Sequence, residues 1–347
     1  MTTTIALSPP TQTPPATIEI DVQLQPIDLY RADRILVWRQ IRWLVLAAAI
    51  FVLAFALMVG SIFLIVLAVA ISLFFLAVHS GFAYMGARSM LRSSRVLRGT
   101  IHYSFEPSGL RTSGETFRSF QDWSNFHDVL ETRHLFILRP STSEKVVIPK
   151  RYLLGGHLEK VRALASKSAA PRHTPDYSTD TRTSDCLTAT VRMEPNDLYQ
   201  GYLTLLLRKS YWSATQIAFA FASFFVFNPH FLSPILFVAI GSLFFFYLGI
   251  SLYRSSSRAI RTSVAYQNAA TYFFGSSGLE AFGPTFSFHH AWCNFQSIIE
   301  TSKLFLFCPS NAQMIILPKL SFTDPAQLVS LRQLLRDHFR GKLSLKH

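Results

Sequence analysis

Two apolar blocks stand out along the chain: residues 43–87 and 210–253 contain no Lys, Arg, Asp or Glu. As a single helix each block would run about 65 Å at about 1.5 Å per residue, roughly twice the hydrocarbon thickness of a bilayer. The pattern therefore predicts two spans in each block, turning at Gly60-Ser61 and at Asn228-Pro229-His230. Outside the blocks the period changes. Ile18, Ile20, Val22 and Leu24 alternate with Glu19, Asp21 and Gln23, and Leu187, Ala189, Val191 and Met193 alternate in the same way. Period two over such a stretch predicts a half-buried strand. Short strands are expected around 103–105, 116–120, 127–131, 135–138 and 146–148. Each region closes on an amphipathic helix, with Leu158, Val161 and Ala165 on one face in the first and Leu328, Leu331 and Leu335 in the second.

Self-comparison organises these elements. Pro26, Asp28, Leu29 and Tyr30 recur 169 positions later as Pro195, Asp197, Leu198 and Tyr199. At the same offset Ser108-Gly109-Leu110 returns as Ser277-Gly278-Leu279, Trp123 as Trp292, Glu131-Thr132 as Glu300-Thr301, and Pro149-Lys150 as Pro318-Lys319. The chain thus divides into a disordered N-terminus (1–16), a first unit (17–165), a polar linker (166–185), a second unit (186–340) and a tail (341–347). The hairpins are expected at about 43–84 and 211–253, and the β domains at about 100–165 and 269–340.

Charge then orients the reading. The formal net charge is +13, and many basic residues flank the apolar blocks: Arg31, Arg34, Arg39 and Arg42 before the first, Arg88, Arg92 and Arg95 after it. Arg208 and Lys209 precede the second block, and Arg254, Arg258 and Arg261 follow it. The positive-inside rule places both termini and both β domains in the cytoplasm of a multi-pass inner-membrane protein. The basic rim could also attract anionic lipid headgroups. Nucleic acid is not expected, since no matching motif accompanies the charge. Segment 1–16 lacks the basic and apolar regions of a signal peptide, and three cysteines make no disulfide framework.

The order of strand, Asp-Leu-Tyr helix start, two spans, Ser-Gly-Leu, Trp strand, Glu-Thr and Pro-Lys before a last helix resembles the YcxB-like family of bacterial membrane proteins. That resemblance implies an inner-membrane location and cytosolic domains similar to bacterial pleckstrin-homology-like domains, each a small α+β barrel closed by a C-terminal helix. It brings no catalytic residues to transfer. This chain departs from the family pattern in carrying two units.

Chemistry is sparse. No phosphate loop, HExxH or GxSxG motif occurs. His289, His290 and Cys293 could ligate a metal, but the first copy has Phe120, Gln121 and Ser124 there, so an ordinary strand is expected. Glu131 and Glu300 read as salt-bridged residues at strand ends, with Lys150 and Lys319 matched between copies, and Trp123 and Trp292 read as core anchors. No cofactor is expected. The sequence points to a non-enzymatic membrane protein presenting twin domains to a protein partner or anionic lipid, with homo-oligomerisation open. An oligomeric transporter or channel and a lipid-modifying enzyme are the alternatives.

Overall fold

The computed structural model describes residues 17–36, 38–39, 50, 80–81, 83–140, 144–166, 186–209, 234–310 and 313–345. The first unit starts with β1 (Ile18–Val22), whose alternating sequence gives alternating buried and exposed positions. Helix α1 (26–36) follows. The Asp28 carboxylate fixes its start by accepting from the Gln25 backbone N–H at 2.9 Å, satisfying a donor that a helix terminus leaves unpaired. After α2 (83–93) and the single turn α3 (Arg95–Arg98) come β2 (Ile101–Phe105), β3 (Gly109–Gly114), β4 (Phe117–Asp122), β5 (Asp128–Glu131), β6 (Leu135–Arg139), β7 (Val146–Pro149) and α4 (His157–Ser166).

The second unit repeats this order: β8 (Leu187–Val191), α5 (Pro195–Lys209), α6 (Pro234–Thr262), α7 (Val264–Gln267), β9 (Ala270–Phe274), β10 (Gly278–Phe282) and β11 (Phe286–Ala291). Then come β12 (Ser297–Glu300), β13 (Leu304–Cys308), β14 (Ile315–Pro318) and α8 (Pro325–His338). Asp324 caps α8 through Ala326 N–H, and Pro325 occupies the first turn, where its missing N–H costs nothing. The second unit adds one strand, β15 (Lys342–Ser344).

The strands form three sheets. An eight-stranded sheet has the order β1-β2-β3-β4-β11-β10-β9-β8; β14-β13-β12-β15 and β5-β6-β7 are separate. The copies are joined by β4 and β11, which pair antiparallel with Phe120 opposite Ser287 and Arg118 opposite His289. Each unit packs its share of the large sheet against its small sheet and closing helix. Phe105, Phe136 and Val161 meet in one core, and Phe274, Phe307 and Leu331 in the other.

Two expectations are corrected here. The pleckstrin-homology-like closed barrel is not formed among the described residues, because β4 and β11 spend their outer edges on each other and build one open sheet. Four membrane spans are not found either: among the described residues no helix is long and apolar enough to cross a membrane. Helix α1 is charged, with Asp28, Arg31, Asp33 and Arg34 along it. The inner-membrane, multi-pass localisation and the membrane-module, transporter and membrane-enzyme readings built on those spans fall with them. The hairpin expected at 43–84 lies almost wholly outside the described residues, as do residues 210–233 of the second.

Candidate anion-binding cleft

The repeat-matched residues are structural. Trp123 donates its indole N–H to the Glu106 carbonyl at 2.8 Å, and Trp292 donates to that of Gly275 at 2.9 Å, so each ring pins the β2–β3 or β9–β10 turn from inside its core. Glu131 accepts from Lys150 and from Arg162, and Glu300 from Lys319 and from Arg332. The triads tie the small sheet to the closing helix, and they differ in depth: the Glu300 side chain is 0% exposed and that of Glu131 29%. Hydrogen bonds from Arg162 and Lys150 hold the Glu131 carboxyl down at about 2.

Among the described residues, the basic side chains nearest the apolar blocks do not converge. Arg39 pairs with Asp128 at 3.3 Å. Arg88, Arg92, Arg95, Arg254, Arg258 and Arg261 are exposed, Arg42 lies outside the described residues, and Arg208 and Lys209 fall in the last turn of α5. His289, His290 and Cys293 do not form a metal site either. His289 pairs with Glu280 at 3.0 Å, and His290 stacks on Phe117 across the seam with ring centroids 6.0 Å apart. Among the described residues no group of three metal-ligating side chains occurs.

What does converge is a cleft of about 280 Å³ in the first unit, lined by Arg31, Arg34, Ile35, Thr132, Arg133, His134 and Leu135. Arg31 and Arg34 are three residues apart, so α1 presents them on one face. Arg34 also lies over the Tyr30 ring, 5.8 Å from its centroid. The orientation of α1 is fixed from below by Arg151, whose guanidinium bridges both oxygens of buried Asp28 at 2.8 and 2.7 Å. Opposite, the β5–β6 turn is clamped at both ends. Thr132 N–H donates to the Leu135 carbonyl at 2.9 Å, and Leu135 N–H donates to the Thr132 hydroxyl at 3.0 Å. The His134 carbonyl accepts from Lys150 N–H at 2.9 Å. Arg133 and His134 are thereby held at the tip, lining the same cleft as the two arginines of α1, and among the described residues no carboxylate lines it.

The second unit keeps this frame but not its three arginines. Its turn is closed by the same Thr301–Leu304 bonds. The equivalent positions, however, are Gln200, Leu203, Thr204, Ser302 and Lys303. Sequence reading assigned Arg31 and Arg34 to topology and passed over Arg133 and His134. The signal was available in the positions at which the copies disagree.

Fold and cleft together define a duplicated β-sheet protein with a cationic cleft in its first unit. Comparison with protein-family models, with curated proteins and with solved structures finds no match.

Proposed function

We propose that the chain is a non-enzymatic binding protein whose first unit captures a compact oxyanion of the phosphate type. One observation carries the reading: three arginines and a histidine line a common cleft, with no carboxylate among its described lining residues. Guanidinium groups stay charged at any working pH and present forked donors that match tetrahedral oxyanions. The Thr132 hydroxyl is engaged by the Leu135 backbone, so the cleft offers charge and donors without a poised nucleophile.

Calorimetric titration of the full chain with pyrophosphate at low salt tests this. The expectation is one site per chain, weakened as salt rises, and weakened at least tenfold in Arg34→Glu/Arg133→Glu. Both side chains are exposed, so the fold should survive the exchange. Titration heat unchanged in the double variant, or none in the native chain, overturns the proposal.

A further inference from the structure

The two copies match strand for strand except at one edge. In the second unit, β15 lies parallel to β12, with Ser297 opposite Lys342, Ile298 opposite Leu343 and Ile299 opposite Ser344. Lys342 N–H donates to the Gln296 carbonyl at 3.1 Å. Phe339, Leu343 and Leu345 pack on the second core. Gly341 makes the approach possible, since a Cβ there would meet the Phe339 ring at 2.3 Å and the Gln296 carbonyl at 3.0 Å.

The equivalent edge of the first unit is the side of β5 away from β6, and among the described residues no strand pairs along that side. The consequence is visible in burial. Ile298 is 0% exposed, whereas Val129 at the same repeat position is 38% exposed. An edge strand with an uncovered apolar residue is a template for a further strand. The chain's own linker is a poor candidate by chemistry. One residue has been added between the copies before the closing helix, as the Arg162–Arg332 correspondence shows. Allowing for it, Phe339, Gly341, Leu343 and Leu345 correspond to Ala169, Pro171, His173 and Pro175. None of the features that seat β15 is present there, and the prolines remove ladder donors.

We infer that the outer edge of β5 receives, in parallel, an extended segment of a partner protein with the pattern of β15: an aromatic residue, then Gly, Leu and Leu at alternate positions. The bound segment takes its first main-chain bond from the His127 carbonyl, the counterpart of Gln296, and covers Val129 with its first leucine. A basic residue between the glycine and that leucine falls opposite Asp128, as Lys342 falls opposite Ser297. This site is separate from the oxyanion cleft and stands whether or not that cleft binds phosphate.

The test uses the full chain and a fluorescein-labelled peptide with the sequence of residues 339–345, followed by polarisation. Saturable binding to one site is expected, weakened at least tenfold by Val129→Lys in the protein and by the Gly341→Val counterpart in the peptide. No binding overturns the inference. So does binding that Val129→Lys leaves unchanged, because the peptide would then be exchanging with β15 on β12. Binding that appears only after residues 167–185 are replaced by a Gly-Ser linker assigns the edge to the chain itself. Dimerisation lost on deleting residues 341–347 assigns it to a second copy. Either of those results overturns the partner assignment.

Discussion

Removing the Asn125 carboxamide should cost about 3 kcal/mol, although the residue touches neither cleft nor edge. The side chain sits just beyond β4 and is 1% exposed. Its Nδ2 donates to the Thr285 carbonyl at 2.6 Å, and its Oδ1 accepts from the Thr285 hydroxyl at 2.7 Å. The other copy returns the arrangement: Asn294 donates to the Thr116 carbonyl at 2.7 Å and accepts from the Thr116 hydroxyl at 2.6 Å. The seam between the copies is therefore isologous within one chain. In Asn125→Ala the Thr285 carbonyl keeps the Asp122 N–H at 2.9 Å, so it is not orphaned. The buried Thr285 hydroxyl loses its partner. Two lost bonds at about 1 kcal/mol each, with about 1 more for the orphaned hydroxyl, give the total. Urea unfolding, with amide exchange of β4 and β11 as a local probe, should show the loss in both strands. Asn294→Ala should cost less, about 2 kcal/mol, because its partner Thr116 is half-buried and its freed hydroxyl can reach water. Asn125→Leu/Thr285→Val, which removes both polar partners, should cost less than Asn125→Ala alone. A loss below about 0.5 kcal/mol, well under a single hydrogen bond, would refute the reasoning.

Further outcomes follow from differences between the copies. Glu300→Ala should destabilise by about 3 kcal/mol, because it strands Lys319 and Arg332 at a buried site, whereas Glu131→Ala at the more open triad should cost about 1 or less; paired urea melts compare them. Asp197 lacks the arginine that holds Asp28. Leu320 stands at the position of Arg151 and is 97% exposed, and burial pushes the Asp197 carboxyl up. Leu320→Arg should stabilise the second unit by about 1 kcal/mol in a thermal melt at neutral pH, restoring a charge-assisted pair. His290 is held down at about 4 by burial, with His289 adding to the effect. Its folded-state pKa lies below the 6.5 of an ordinary imidazole, so the unfolded chain takes up the proton first. Stability should therefore fall as pH drops from 6.5 towards 4 and then level off. The loss should be about 2 kcal/mol after allowance for partial exposure. His290→Phe, which keeps the stack on Phe117, should flatten that stretch of the profile.

Much of the strand and closing-helix architecture was legible because burial wrote it into the sequence. Ile18, Ile20 and Val22 alternate because one side of β1 faces the core, and Leu331 and Leu335 share a face because α8 buries it. β3 was not legible: Gly109–Gly114 carries Arg, Thr, Ser and two glycines, and its pairing on both sides, not its side chains, makes it a strand. The β4–β11 junction was hidden for a related reason. Nothing in Phe117–Asp122 distinguishes pairing with a sister strand from closing its own barrel, since both satisfy the same backbone groups. The length of the charge-free blocks carried the spans further than the described helices support. The cleft was hidden because Arg31 and Arg34 were weighed as flanking charge, while Arg133 and His134 become their neighbours only when α1 packs beside the β5–β6 turn. β15 was missed because a three-residue strand leaves no period to read.

The pairing of β4 with β11, which makes one body of two copies, is open to a direct chemical test. Arg118 and His289 face each other across it. In a Cys293→Ser background, which removes the exposed native thiol, Arg118→Cys/His289→Cys should cross-link under mild oxidation. The closed loop would make the denatured chain migrate faster on a non-reducing gel. Arg118→Cys paired with Phe282→Cys, on neighbouring β10, should stay open. Failure of the first pair to close in the folded protein, or equal closure of both, would contradict the continuous sheet.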